Sequence, residues 1–214
     1  NHNINLSIFN KENAATTVAS TISIASKFQI RFFATGGIGG VHLNAENTND
    51  VSADLYALSE NSNFVICSGA KSILDLSKTN ELLETLGITR IGYQTNYMPG
   101  FWYEETENKV DNKFDEIHEI SSFLKLNENM GNKKSILIFN KVPLEKALNK
   151  NDVEKWINNA TIKADRNNIS GKELTPFLIK EINEQSKNET LNANVSLIIN
   201  NANLAGKIAK SFYS

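Results

Sequence analysis

Short apolar runs alternate with amphipathic stretches through the first two thirds of the chain. The run at 28–34, rich in aromatic and β-branched residues, predicts a strand. Before it, apolar residues spaced by three or four positions predict a helix over about 12–27, namely Ala14, Val18, Ile22 and Ala25. The same alternation then returns, so we expect further strands at 63–67, 88–93 and 135–140, and helices near 52–60, 71–86 and 114–126.

The last third of the chain has a helical pattern throughout. Asp152 marks the start of one helix, Thr175-Pro176 combines an N-cap with a proline at the first helical position of another, and 191–212 predicts a long final helix. Strands separated by helices predict an α/β fold of three layers, in which helices cover both faces of a largely parallel or mixed central sheet. We expect residues 1–214 to form a single domain.

Composition narrows the classes of partner. The chain has 214 residues, 40% of them hydrophobic, and a net charge of -2, so it can bury a full core but lacks the basic stripe that nucleic-acid binding needs. None of its apolar runs is long enough to span a bilayer. We therefore expect neither a nucleic-acid partner nor a membrane. The single cysteine, Cys67, excludes an internal disulfide and favours a reduced, cytoplasmic location.

Histidine is too scarce for a conventional multi-histidine zinc site, the chain having only His2, His42 and His118. Carboxylates are the alternative ligands. Asp50 and Asp54 lie around Ser52, and oxygen ligands of this kind suit Mg²⁺ or Mn²⁺. The same segment also fits a helix N-terminus, with Asp50 or Ser52 as the cap and Asp54 interacting with the helix dipole.

Two turns that follow predicted strands carry candidate chemistry. The glycine-rich loop 35–40 lets backbone N–H groups approach a phosphate or carboxylate, although it also fits a tight turn that packs a strand against a helix. Lys71 follows the strand at 63–67. In the first turn of a helix and among apolar neighbours, it would be a neutral amine able to attack a carbonyl-like carbon. A surface lysine at a helix start is the alternative.

Two groups of residues outside these turns are candidates for the site. Asn194, Asn200 and Asn201 lie on an otherwise apolar helix, where a buried amide needs partners, and one of them is a candidate for reading a base edge. Phe101 and Trp102 follow Pro99-Gly100 and form either a lid or, in the interpretation we favour, part of the core.

Several collinear segments resemble the pseudouridine-5′-phosphate glycosidases, a family also known as indigoidine-synthase-A-like. They span nearly the whole chain: TTVA at 16–19, TGGIGGVH at 35–42, DVSADL at 50–55, ICSGAKSILDL at 66–76, GYQTNYMPGFW at 92–102, GKELTPFL at 171–178 and NANVSLIINNA at 192–202. The resemblance implies a cytosolic, metal-dependent, trimeric enzyme. It would reversibly cleave the carbon–carbon glycosidic bond of pseudouridine 5′-phosphate to uracil and ribose 5-phosphate.

The resemblance also implies roles for individual residues. Lys71 would be the nucleophile that opens the sugar through an imine at its anomeric carbon, and Asp50 would hold Mn²⁺, or Mg²⁺ in its place. The substrate would be lined by Val18, Ser52, Ala53 and Asp54, with Thr35, Gly36, His42 and Asn194 as additional pocket residues. Leu43 replaces a basic residue usual in the family, and 92–102 is altered, which affects ligand contacts from those loops.

Members of the family also carry an upstream region that contains a glutamate proton donor and a second lysine. We expect this chain alone to be inactive or nearly so, with the upstream region supplied by a separate N-terminal chain, removed by processing, or absent. Two alternatives to the glycosidase remain at this point. One is an imine-forming aldolase that acts on another sugar phosphate, and the other is a non-catalytic remnant that binds sugar phosphate.

Overall fold

A computed structural model describes residues 4–214, apart from the side chain of Lys172. Within that range the strands form one sheet in the order β1-β2-β5-β3-β4, and every neighbouring pair is parallel. The strands are β1 (Phe32–Ala34), β2 (Phe64–Cys67), β3 (Thr89–Tyr93), β4 (Asn112–Phe114) and β5 (Ile136–Phe139). The predicted α/β fold is confirmed, and its sheet is parallel.

Helices cover both faces of the sheet, because alternate residues of the central strands enter two separate cores. Ile136 and Ile138 of β5 pack in one core, and Leu137 and Phe139 pack in the other. The helices are α1 (Ile4–Asn10), α2 (Val18–Lys27), α3 (Ala45–Thr48), α4 (Ala53–Glu60), α5 (Leu76–Thr85), α6 (Ile117–Asn129), α7 (Lys150–Arg166), α8 (Leu174–Gln185) and α9 (Glu189–Tyr213). In the range 4–214, no helix is long and apolar enough to cross a bilayer.

Several predicted N-terminal boundaries are wrong. The strand predicted at 28–34 begins only at Phe32, since the chain first turns through Gln29, whose φ is 57°. Phe28 and Ile30 flank that turn and are 73% and 54% exposed. The first predicted helix begins at Val18 and not near residue 12. In α8, Glu173 takes the N-cap position predicted for Thr175.

The helix predicted from Lys71 begins at Leu76. Asp75 is its N-cap and accepts a hydrogen bond from the backbone N–H of Lys78 at 2.9 Å. The preceding residues are held by the glycine loop instead, because the N–H of Lys71 donates to the carbonyl of Ile38 at 3.1 Å. Lys71 therefore lies in irregular structure, and its predicted place in the first turn of a helix is wrong.

Candidate functional site

A cleft of about 790 Å³ opens where the carboxyl ends of β1 and β2 meet the N-terminal ends of α2 and α4. In a parallel sheet, this edge is where ligands usually bind. Of the predicted site residues, the structure brings these to the cleft wall: Val18, Thr35, Gly36, His42, Ser52, Ala53, Asp54, Lys71 and Asn194. Asp50 does not line the cleft, but its Oδ2 lies 3.8 Å from Nδ1 of His42, which does.

Backbone hydrogen bonds join the glycine loop to the turn that contains Lys71. The N–H of Ser68 donates to the carbonyl of Gly36 at 2.9 Å, and the N–H of Ile38 donates to the carbonyl of Gly69 at 3.0 Å. A Cβ at Gly37 would lie 2.7 Å from the Phe101 ring and 3.0 Å from the Gly69 oxygen, so a larger residue does not fit there. The loop is therefore a close backbone contact, and anion binding by it stays a prediction.

Asp54 joins three elements at the floor of the cleft. The residue is 5% exposed, Oδ1 accepts from the N–H of Ala19 at 2.8 Å, and Oδ2 accepts from the N–H of Gly39 at 2.8 Å. Ser52 caps α4 by accepting from the N–H of Asp54 at 3.2 Å. The segment thus forms the helix N-terminus that was one of its two interpretations. The same contacts tie α2, the glycine loop and α4 together.

Lys71 is half-buried and lines the cleft beside the glycine loop. Its turn is apolar, since Ala70 is 0% exposed, Ile73 is 2% exposed and Leu74 is 5% exposed. Among residues 4–214, the side chain of Lys71 forms no ion pair. The apolar surroundings that the sequence indicated are present, whereas the helix terminus expected to act on the amine is not.

The asparagines of α9 have different roles. Asn201 is fully buried, and its amide donates to the carbonyl of Thr35 at 2.8 Å and to Oγ of Ser68 at 3.1 Å. It also accepts from the amide of Asn140 at 3.0 Å. Because these three partners follow β1, β2 and β5, one side chain fixes three strand ends. Asn201 is therefore not available to read a base, and Asn194 remains the candidate.

Phe101 and Trp102 are part of the core, as favoured, but Phe101 also forms cleft wall. Phe101 is 7% exposed and has a φ of 68°, an unusual conformation for a bulky residue. Trp102 is 2% exposed, and its Nε1 donates to Oδ1 of Asn194 at 2.7 Å. No local sequence pattern indicated this contact, since the two residues are 92 positions apart.

Threonine hydroxyls that were not predicted as site residues form a further part of the cleft wall. They come from the residues that lead into α2, from α2 itself and from α8, and they are Thr16, Thr17, Thr21 and Thr175. The adjacent pair at 16–17 was the available signal, although it fell inside the helix predicted over about 12–27. These groups add hydrogen-bonding capacity to a wall that is otherwise backbone and apolar.

The histidines and acidic residues that the structure describes do not form a closed metal site. In the range 4–214 no three His, Cys, Asp or Glu side chains are grouped so as to hold an ion. His118 is exposed on α6, and His2 lies outside the described residues. A cation at Asp50, whose side chain is 40% exposed, would keep most of its ligands as water or substrate oxygens, as Mg²⁺ commonly does.

Comparison with known proteins gives relatives over nearly the whole chain. The family described as "Indigoidine synthase A like protein" matches residues 1–211. Proteins named pseudouridine-5′-phosphate glycosidase from Petrotoga mobilis and Kosmotoga olearia are 47% and 45% identical over 94% and 93% of this chain. The chain spans 65% and 68% of their lengths. The Escherichia coli protein of that name is 41% identical over 94% of this chain, which spans 64% of it.

Solved structures agree with this assignment. The prealnumycin C-glycosynthase AlnA, in complex with ribulose 5-phosphate, has a TM-score of 0.93 and 31% identity, with 99% of this chain and 70% of that chain covered. An indigoidine synthase A-like protein from Thermotoga maritima has a TM-score of 0.89 and 34% identity, with 97% and 68% covered.

Proposed function

Because this chain belongs to the family described as Indigoidine synthase A like protein, we propose that it carries the catalytic lysine of a pseudouridine-5′-phosphate glycosidase. The reaction is reversible cleavage of the carbon–carbon glycosidic bond to give uracil and ribose 5-phosphate. One observation carries the proposal: the residues expected to act on the nucleotide, Lys71 and Asp54 among them, line one cleft. Its volume of about 790 Å³ lies in the range usual for small-molecule sites.

In the proposed reaction, Lys71 is the nucleophile. Its neutral amine forms a bond to C1′ as the C1′–O4′ bond breaks, and the proton lost by nitrogen goes to the 4′-oxygen. The nitrogen lone pair then expels C5 of uracil, which takes up a proton, and water hydrolyses the imine to ribose 5-phosphate. The position of Lys71 supports this role, because its half-buried side chain lines the cleft in which a bound sugar phosphate would lie.

Asp50 is our candidate for the Mn²⁺ or Mg²⁺ ligand. Its exposed carboxylate, close to His42 at the edge of the cleft, suits a hydrated cation. Such a cation would supply positive charge next to the phosphate or sugar. Asp54, whose two oxygens already accept backbone hydrogen bonds, holds the walls in place.

Reductive trapping tests the lysine directly. The folded chain is incubated with ribose 5-phosphate and cyanoborohydride, and the adduct is located by peptide mass mapping. We expect it on Lys71, to be lost in Lys71→Ala, and to persist in the matched control Lys78→Ala, because Lys78 is an exposed lysine paired with Glu46. The same reaction is run on a version extended upstream. If neither version yields an adduct on Lys71, the proposal fails.

A second measurement separates this activity from that of an aldolase. The glycosidase running in reverse consumes ribose 5-phosphate only when uracil is present, and it forms pseudouridine 5′-phosphate. An aldolase would consume the sugar phosphate with another carbonyl partner and would ignore uracil. Consumption that does not depend on uracil would therefore reassign the reaction while leaving the lysine chemistry intact.

We also infer a cytoplasmic location and a homotrimer, with an upstream region that completes the site. The free, buried thiol of Cys67 supports a reducing compartment. An apolar stripe on α9, at Leu191, Val195 and Ile199, is 50–56% exposed and offers surface for assembly. Light scattering of the purified chain, with and without the upstream region, measures the assembly, and a monomer in both cases contradicts it.

A further inference from the structure

The hydrogen bond between Trp102 and Asn194 determines which end of the Asn194 amide faces the cleft. Nε1 of Trp102 lies 2.7 Å from Oδ1 of Asn194. An indole N–H can only donate, so its partner must be the amide oxygen. A reversed amide would place its NH₂ group against the indole N–H, leaving two donors facing each other and losing the bond.

The position of the indole sets the direction of the NH₂ group. Trp102 does not line the main cleft, whereas Asn194 does, and both line a small separate cavity of about 200 Å³. Because the amide oxygen is bonded to the indole, Nδ2 is the polar end of Asn194 that is left for a ligand in the main cleft, which Asn194 lines. Among the described residues, Nδ2 makes no hydrogen bond, so its two N–H donors are available to a ligand.

Trp102 is itself held firmly. Its backbone N–H donates to Oγ of Ser72 at 3.4 Å, its carbonyl accepts from the N–H of Leu148 at 2.8 Å, and the residue is 2% exposed. Its ring also packs at 5.4 Å from the ring of Phe101, which forms cleft wall. The indole N–H is therefore a donor in a fixed position, and the Asn194 amide keeps the orientation that this donor requires.

We propose that Trp102 is a positioning residue that fixes the orientation of the Asn194 amide. Through Asn194, the cleft would bind a pyrimidine with a carbonyl oxygen at this place more tightly than one with an amino group there. This inference rests on the proposed function, since the base must lie against Asn194. An amino group would meet the NH₂ group of Asn194 donor to donor. The expected discrimination is about tenfold to a hundredfold, the usual effect of one unpaired buried polar group.

The test uses the chain with ribose 5-phosphate bound and measures the affinity of free bases by calorimetry. Uracil is compared with cytosine and with isocytosine, each of which replaces one carbonyl oxygen of uracil with an amino group. The wild-type protein should bind uracil about tenfold to a hundredfold more tightly than one of these two. In Trp102→Phe the Asn194 amide can rotate so that its oxygen and its NH₂ group exchange places. The ratio of the two affinities should then lie within about threefold of one.

Two further variants keep the test decisive. Trp156→Phe is the matched control, because Trp156 is half-buried on α7 and its indole N–H bonds to no other described residue, so it should keep the wild-type ratio. Asn194→Asp keeps an acceptor for Trp102 but removes both donors, and it should lose the preference for uracil even if Trp102→Phe fails to fold.

The outcomes separate this inference from the proposed function. If Lys71 traps ribose 5-phosphate but the ratio is the same in wild type, Trp102→Phe and Asn194→Asp, the role of Trp102 is overturned and the glycosidase proposal stands. A wild-type protein that traps the sugar but binds no base overturns the inference as well. If Lys71 traps no sugar phosphate and no base binds, the proposed function is wrong, and the inference that rests on it is wrong as well.

Discussion

Replacing Asn201 with leucine tests whether one buried amide holds the strand ends at the site. The substitution nearly conserves volume, so it removes polar contacts and leaves little cavity. It leaves the buried amide of Asn140, a residue that is 6% exposed, without its acceptor and the half-buried carbonyl of Thr35 without its donor. The first loss costs about 1–3 kcal/mol and the second about 1 kcal/mol, because water can reach the Thr35 carbonyl.

We therefore expect Asn201→Leu to lower the free energy of unfolding by about 2–4 kcal/mol, a large part of the 5–15 kcal/mol typical of a domain. Urea unfolding followed by tryptophan fluorescence measures it. Asn200→Leu is the matched control on the same helix, because Asn200 is half-buried and donates only to the carbonyl of Lys141, at 3.1 Å. It should cost less than about 1 kcal/mol.

The same variant has a functional readout. Thr35 belongs to the glycine loop and Ser68 to the turn before Lys71, and Asn201 is their common partner. Loss of this partner should therefore slow reductive trapping even without urea, at a temperature at which the variant stays folded. The prediction is wrong if the free energies of unfolding of Asn201→Leu and Asn200→Leu agree within about 0.5 kcal/mol and Asn201→Leu traps ribose 5-phosphate at the wild-type rate. In that case the Asn201 amide does not hold the site together.

Three shorter predictions concern other residues. Burial raises the pKa of the Cys67 thiol from 9.0 to about 12. The free energy of unfolding should therefore fall as the pH rises from about 9 toward 12, and rapid labelling of the native thiol at pH 8 would contradict this. Asp54→Asn should cost about 1.5–3 kcal/mol in urea unfolding, because one amide end must face a backbone N–H; an unchanged midpoint would count against the three-element contact. Gly206→Ala should raise the midpoint of thermal unfolding, because Gly206 is a helical residue with open space around it. Gly69→Ala should lower that midpoint, because φ at Gly69 is 84° and a Cβ there would lie 2.1 Å from a carbonyl oxygen.

The parts of the fold that the sequence predicted are those whose signal is local. The strands at 64–67 and 136–139 are continuous apolar runs because both of their faces are buried, and such runs are legible without knowledge of the partners. β4 was missed because Asn112 and Lys113 are exposed at the sheet edge and carry no apolar pattern. The sheet edge was therefore the weakest part of the prediction.

The site residues stay a prediction, although the structure brings nine of them, but not Asp50, to one cleft. The contacts that shape this cleft were not predicted, because they join positions far apart in sequence. Asp54 accepts from a residue 35 positions away, and Asn201 donates to one 166 positions away. Long-range contacts also explain the wrong start of α5, because the backbone of Lys71 bonds to the glycine loop and is thereby withheld from a helix.

This correction changes the physical account of the lysine. Without a helix terminus at Lys71, two features describe its surroundings: apolar neighbours and the absence of an ion pair among the described residues. Asp54 is the buried carboxylate of the same cleft, and each of its oxygens accepts a backbone hydrogen bond. These charge-assisted hydrogen bonds occupy the carboxylate. Asp54 therefore joins the walls of the cleft and, among the described residues, is not an ion-pair partner of Lys71.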